Sequence, residues 1–468
     1  MIETSYRMGR AVVIGASMAG LIAARVLSKH FEQVTVLDRD TLPEEPEGRR
    51  GVPQGQHVHV LLIRGQQALE DLFPGFVPAL LARGAQRLNT GSDLAWHHFG
   101  HWKAHFESDL HGISVSRPVL EHEVRRRVSA LSNVFVVGGT VFTRYAMDWE
   151  YSRITGVFVR ARGANMREEL LRADLVVDAS GRGSQTPRQL TELHYQAPEE
   201  SVTRMNLAYS SRIYERPAGC RNWQAMIVTG NSPDTRSGLI FPIEGNRWLV
   251  TLVGSHGDQP PTSNEGFLEF ARSLAVPDLH AEICGARPLT DAQAFGFPAT
   301  WRRHYERLKR FPSGLLVMGD ALCSFNPVYG QGMTAAALEA EMLDKCLSRL
   351  RPHGTLGIPA LTEDFRRCAA DVVNVPWQLA SGEDLRFPQT AGLRPASLRL
   401  IHWYTKKVHV AAAASPLIAK KFISIVHMVA PPTGLFGWDV LRELLRASPR
   451  KRSGGFRPAA LAPESPYG

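Results

Sequence analysis

The chain has 468 residues, 44% hydrophobic and 21% charged, which is ordinary for a globular protein and long enough for two or three packed subdomains. Its formal charge of +9 raises nucleic acid or an acidic surface as partners. The last residues hold Arg450, Lys451, Arg452 and Arg457 against Glu464 alone; the remaining excess reads as spread out, with no Lys/Arg stripe interleaved with aromatics, which argues against nucleic acid.

Five cysteines (Cys220, Cys284, Cys323, Cys346, Cys368) are widely spaced and odd in number, without a Cys-x-x-Cys pair. They fit buried thiols in a reducing compartment rather than disulfides or a metal site. No basic-then-apolar leader opens the chain, and no stretch approaches the roughly 18 apolar residues of a spanning helix. The best candidate, Val408 to Ala430, is broken by Ser415-Pro416 and Lys420-Lys421. These features predict a cytoplasmic protein.

In chain order, Ala11 to Ile14 predicts a buried strand, Gly20 to Lys29 a helix and Val34 to Leu37 a second strand ending at Asp38. This is a βαβ opening with a parallel sheet. Gln56 to Leu62 reads as strand-like, carrying His57 and His59 on one face. Hydrogen-bonded histidines of the core or beside a bound ligand are favoured there over a metal pair, and no metal is expected. His97, His98, His101 and His105, interleaved with Trp96, Phe99, Trp102 and Phe106, read as hairpin strands lining an apolar pocket.

A helix follows over Arg117 to Leu131, then strands at Val134 to Val137, Ile154 to Arg160 and Leu170 to Val177. Residues 185–300 are rich in strand candidates (Leu207 to Tyr214, Gly238 to Pro242, Trp248 to Gly254), with a helix at Glu265 to Leu274. Leu315 to Met318 returns to a buried strand, Thr334 to Leu350 is a strong helix, and Glu363 to Arg446 reads mostly helical. Within it, Glu383 and Asp384 are expected at a solvated helix end, and the Val408 to Val429 segment is expected to pack on the catalytic domains rather than collect a lipophilic molecule at a membrane.

The predicted fold is α/β: a Rossmann-like dinucleotide domain (9–60, 112–184 and 301–350) interleaved with a mixed-sheet substrate domain (61–111 and 185–300). A helical region (351–447) and a disordered tail (448–468) complete it.

Three motifs carry chemistry. In Gly15-Ala16-Ser17-Met18-Ala19-Gly20 the first glycine permits the tight strand-to-helix turn and the last permits close helix–sheet packing. The helix start then offers free N–H groups to a pyrophosphate, and Ser17 can itself hydrogen-bond phosphate. Asp38, with Arg39 beside it, lies 18 residues past Gly20, where a carboxylate can accept the adenosine ribose hydroxyls. Asp178-Ala-Ser-Gly181-Arg-Gly183-Ser184 is a second glycine turn after a strand. Gly319-Asp320 ends a third strand, placing a carboxylate for a ribityl hydroxyl, and Pro327, Gly330, Gly332 and Met333 then run into a helix. That turn aims N–H groups at the pyrimidine edge of a reduced flavin. Together the motifs describe FAD.

The same three motifs, in this order, resemble the para-hydroxybenzoate-hydroxylase-like flavin monooxygenases. Arg50-Gly-Val-Pro-Gln54-Gly-Gln56-His57-Val-His59, Ser116-Arg117-x-x-Leu120-Glu121, the Pro242 to Gly257 stretch and the Gly319 to Met333 string more narrowly resemble squalene-epoxidase-like epoxidases of bacterial polyether and terpenoid pathways. The resemblance spans roughly residues 9 to 390. It implies that Gly15, Ser17, Gly20, Asp38, Arg50, Arg117, Asp178, Gly181 and Asp320 contact FAD, and that Pro327, Gly330, Gly332 and Met333 sit against its ring. The implied reaction is flavin reduction by NAD(P)H, directly or through a separate flavin reductase, capture of O2 as a C4a-hydroperoxyflavin, and epoxidation of an apolar polyene or prenylated intermediate. No acid–base residue is assigned, and membrane contact is peripheral at most.

Hydroxylation of an aromatic ring is the alternative on this scaffold. A halogenase would carry a Trp-x-Trp-x-Ile motif and a guarding lysine. Arg247-Trp248-Leu249-Val250 is the lookalike, and Lys29 and Lys103 are the lysines before residue 309, so halogenation is disfavoured. A non-catalytic carrier of prenylated partners would not need the full set of flavin contacts.

Overall fold

The structure, a computed structural model, describes residues 7–162, 167–219, 221–350 and 357–446. The expected disordered tail and Cys220 lie outside these residues.

Strand Met8–Ile14, helix Met18–His30 and strand Phe31–Leu37 form the βαβ opening. The helix buries Leu21, Ile22, Ala23, Ala24, Val26 and Leu27 completely, so it is apolar all round, packed between the sheet and helices Arg117–Ser129 and Gly332–Arg349. The sheet has five parallel strands in the order Leu315–Val317, Leu175–Asp178, Met8–Ile14, Phe31–Leu37, Val134–Val137. Register aligns Ile14 with both Asp178 and Leu37, and Asp178 with Val317. The three motifs, separated by up to three hundred residues in sequence, therefore leave the sheet side by side at its carboxyl edge, where ligands bind in this Rossmann-like α/β architecture.

A second, eight-stranded sheet runs from Cys323–Ser324 through Gln293–Arg303, Glu200–Glu215, Arg247–Gly254, Ser237–Ile243, Ala225–Val228 and Leu94–His98 to His101–Trp102. Its side chains alternate with period two. Ile240, Trp248, Val250 and Tyr214 pack beneath helices Asn264–Arg272 and Asp278–Ile283. Leu239, Phe241, Leu207 and Tyr209 form the opposite face with Phe297. Helices Gly332–Arg349, Ile358–Asp384, Leu398–Ala411, Pro416–Val426 and Trp438–Arg446 complete the described chain. Among the described residues no helix is long and apolar enough to cross a membrane.

Three expectations need correction. Leu170 to Val177 is two strands: Glu169–Arg172 joins a three-stranded antiparallel sheet, and Leu175–Asp178 the parallel one. The chain changes sheet at Asp174, whose carboxylate accepts the Arg10 N–H at 2.9 Å. Gln56 to Leu62 is no strand; a 3-10 turn, Pro53–Gln56, leads into extended chain whose Val58 N–H donates to the Thr251 hydroxyl rather than to a ladder. Cys323 and Cys346 are buried thiols, but Cys284 is exposed; with Cys368 these four are free.

Gly15 adopts φ +104°, and a Cβ on Gly20 would stand 1.8 Å from the Gly15 carbonyl oxygen. Helix and turn thus meet backbone to backbone. Gly20→Ala is expected to lower stability by about 1–3 kcal/mol, read as a lowered denaturation midpoint with unchanged slope.

Candidate functional site

At the carboxyl edge of the parallel sheet lies a cavity of about 560 Å³. Gly15, Ser17, Met18 and Ala19 form its floor at the start of helix Met18–His30, and Asp38, Arg39 and Arg50 one end. Arg117, Gly181, Gly319 and Asp320 line its middle; Pro327, Gly330, Gly332 and Met333 close the other end. Two expected residues are not at the surface of the cavity. Gly20 packs beneath it. Asp178 is buried behind the second glycine turn, accepting hydrogen bonds from the Ser180 N–H and the hydroxyls of Ser180, Ser184 and Thr186. It shapes the turn that presents Gly181 rather than meeting a ligand.

A buried ionic network supports the floor. Arg49 donates to Glu121 at 2.7 Å, Asp38 at 3.0 Å and the Ala16 carbonyl at 3.0 Å. Asp38 also accepts the Ala16 N–H at 2.8 Å. Arg117 reaches both Ser17 Oγ and Glu121 at 2.9 Å, and Ser17 Oγ donates to Glu121 at 2.8 Å. Burial opposes ionisation of Glu121, but Arg117 and Arg49, with hydrogen bonds from Arg49 and Ser17, hold its carboxyl at about 2. Ser17 is therefore tied to protein partners. Sequence reasoning named Arg50 and missed Arg49, the member of the pair that turns inward.

At the other end, Asn326 caps the turn Pro327–Tyr329 through its side-chain oxygen, which accepts the Val328 N–H at 3.0 Å. The turn is held from behind by Asp384, whose Oδ1 accepts from Asn326 Nδ2 at 2.8 Å and from the Tyr329 hydroxyl at 2.9 Å. Asp384 is buried, not solvated as its helix-end position suggested, and burial pushes its carboxyl up to about 7 against those hydrogen bonds. Glu339 is likewise buried. It accepts the Gly319 N–H at 2.6 Å, and burial raises it to about 8.

The residues present fit FAD. Helix Met18–His30 has no side-chain cap at Ser17, nor has helix Gly332–Arg349 at Gln331, so both present open N–H groups to the cavity. Arg117 Nε and Gln331 Oε1 are buried without a hydrogen-bond partner, and both residues line the cavity. Such orphaned groups at a cavity wall call for a polar ligand. Asp320 faces the cavity, its carboxyl raised by burial against the pull of Arg182 and Arg117.

His57 donates to or accepts from Ser211 Oγ at 2.7 Å, and His59 Nδ1 meets the His57 carbonyl at 2.9 Å. Burial lowers His57 to about 4; burial and the nearby Arg117 lower His59 to about 3. Both are neutral at physiological pH, and His59 lines the cavity. The histidine-rich hairpin does not line it. Instead it packs on the C-terminal helices: Trp96 meets Phe422 at 5.4 Å, and His98 meets His409 at 4.4 Å between ring centroids. Beside them the buried Lys103 donates to the His409 carbonyl at 2.8 Å, and burial lowers its ammonium to about 7. Among the described residues no group of three or more His, Cys, Asp or Glu is placed to hold a metal ion.

No family model matches the chain. It is 35% identical to Protein Rv3254 of Mycobacterium tuberculosis over 423 residues, 88% of each chain. It is 23% identical to squalene epoxidase 1 of Arabidopsis thaliana over 73% of this chain and 59% of that protein, and 25% identical to kynurenine 3-monooxygenase of Salinispora arenicola over 81% of each. Among solved structures, the flavin-dependent brominase Bmp2 superposes with a TM-score of 0.65 at 16% identity, over 93% of this chain and 97% of that one. PqsL of Pseudomonas aeruginosa, a probable FAD-dependent monooxygenase, superposes with a TM-score of 0.58 at 17% identity, over 81% of this chain and 97% of that one.

Two outcomes are expected. Asp320→Ala weakens FAD binding about tenfold with an unchanged circular dichroism spectrum, by fluorescence titration of FAD into cofactor-stripped protein. Glu339 is raised in the fold, so it contributes stability below its ordinary value of 4.5 that is lost as pH rises to about 8. Glu339→Gln should flatten that part of the stability–pH profile, measured by denaturant unfolding.

Proposed function

We propose, proceeding from a chain that belongs to the same family as Protein Rv3254 and is an FAD-dependent monooxygenase, that it epoxidises an alkene of an apolar polyene or prenylated intermediate of bacterial specialised metabolism. Electrons come from NAD(P)H, directly or through a separate reductase. Bound FAD supplies the activation of O2; this chain's residues supply binding, orientation and exclusion of water. Gly15, Met18, Ala19, Asp38 and Arg39 take the adenosine and pyrophosphate, Asp320 the ribityl chain, and the turn from Pro327 to Gly332 the ring.

The observation that carries the epoxidase reading is the apolar boundary beside that turn. Val328 of the turn and Val60 of the cavity wall pack against the sheet face formed by Leu207, Tyr209, Phe241 and Phe297. Arg182 lines the cavity while lying over Phe295 and Phe297, 5.4 and 5.0 Å from their centroids, so the polar lining borders an aromatic sheet face there. The histidines at this boundary are neutral, and an alkene needs orientation rather than a proton acceptor.

One observation favours the second reading, aromatic hydroxylation. Asp384 is a buried carboxyl near neutrality, directly behind the flavin-facing turn, and a phenol benefits from such a base.

The test supplies the FAD-loaded enzyme with NAD(P)H, a flavin reductase and O2, and offers apolar polyenes and prenylated phenols in parallel. An epoxidase gives a product one oxygen heavier with one alkene lost. Asp384→Asn, which keeps the acceptor for Asn326 and Tyr329, leaves epoxidation within about threefold but lowers hydroxylation about a hundredfold, within the span of general-base contributions. Ring hydroxylation with intact alkenes would overturn the epoxidase reading.

A further inference from the structure

Residues 391–468 carry the chain's whole charge excess. They contain twelve Lys and Arg against three Asp and Glu, so residues 1–390 are electrically neutral although they hold most of the charged side chains. The excess is thus segregated, not spread. Within the described part, Arg394, Arg399, Lys406, Lys407, Arg442 and Arg446 are all exposed. The opposing acids, Asp439 and Glu443, are already engaged by Lys421 and Ser415.

The same segment exposes large apolar side chains. On helix Leu398–Ala411, Leu400, Trp403 and Lys407 recur at three- and four-residue spacing, flanked by Arg399 and Lys406. Trp403 is 59% exposed and Leu400 67%. The last turn of the helix, with Val408 and Ala411, packs inward on Ile418 and Ala419 of helix Pro416–Val426, while Leu400 and Trp403 on the preceding turns stay outside that core. Helix Trp438–Arg446 repeats the arrangement: Trp438 (84% exposed), Arg442 and Leu445 (89%) share one side, while Val440 and Leu444 face in. Tyr404 stacks on the exposed Phe436 at 4.9 Å and 14°, and donates to the Leu435 carbonyl, which brings the two stripes together.

We propose that this face docks on an anionic lipid bilayer, with Trp403, Phe436, Trp438 and Leu445 entering the interface and the surrounding lysines and arginines meeting the headgroups. Basic charge alone would suit any polyanion. Large aromatic and aliphatic side chains between the charges suit a surface that is anionic outside and apolar just beneath. A hydrated polyanion would leave them uncovered. Since no described helix can span a bilayer, the contact is peripheral.

The test sediments the full-length, FAD-loaded protein with vesicles of phosphatidylcholine alone and of phosphatidylcholine mixed with phosphatidylserine. Binding is expected to the mixed vesicles, weakening with salt, with quenching of tryptophan emission by bromine-labelled lipid. Lys406→Gln with Lys407→Gln, and separately Trp403→Ser with Trp438→Ser, should each weaken it about tenfold or more, with unchanged FAD content and melting temperature. Failure to sediment with either vesicle, binding to both alike, or a dimer in solution that buries both tryptophans would overturn the proposal.

Discussion

The site depends on one buried guanidinium. Arg49 bonds the carboxylates at the end of the second strand and on helix Arg117–Ser129, and the carbonyl of the glycine turn, so three remote segments are fixed to one cation. Buried ion pairs are seldom worth much as a net gain, but removing one partner strands the others in low dielectric. Here Asp38 would lose its ion-pair partner, whereas Glu121 would keep Arg117 and Asp40 would keep only Arg162 at 3.9 Å. The arrangement holds Asp38 in place at the end of its strand, while Arg117 keeps a buried Nε without a hydrogen-bond partner.

From that ionic end the chamber changes character along its length. Charge dominates around Arg49, and two carboxyls raised by burial, Glu339 to about 8 and Asp384 to about 7, support the Gly319 and Pro327 turns from behind. A protonated carboxyl can brace a turn without setting a negative charge beside a reduced flavin. Past the turn lie Val60, Val328 and the aromatic sheet face. This gradient is what an oxygenating flavoenzyme with an apolar substrate needs: polar grip on the cofactor, and few groups that would lead water to the reacting end.

Much of this was legible in the sequence where the cause is local. A tight turn requires Gly15, close helix packing requires Gly20, and a strand's last residue determines where Asp38 emerges, so these followed from spacing alone. Long-range effects were not legible. Arg49 and Arg50 are neighbours of one chemistry, and only the fold decides which turns inward. Asp384 looks solvated at its helix end because the turn that buries it lies 58 residues upstream. Asp178 sits where a ligand contact is expected, but three hydroxyls of its own turn satisfy it first. The even spread of positive charge was a misreading of a sequence whose excess is concentrated at one end.

The central claim, that this cavity grips FAD, is tested most directly by the absorbance spectrum of the purified protein after incubation with FAD and removal of the unbound cofactor. Flavin bands at one FAD per chain are expected, with ring absorbance perturbed from that of free FAD. A colourless protein that does not retain FAD would contradict it.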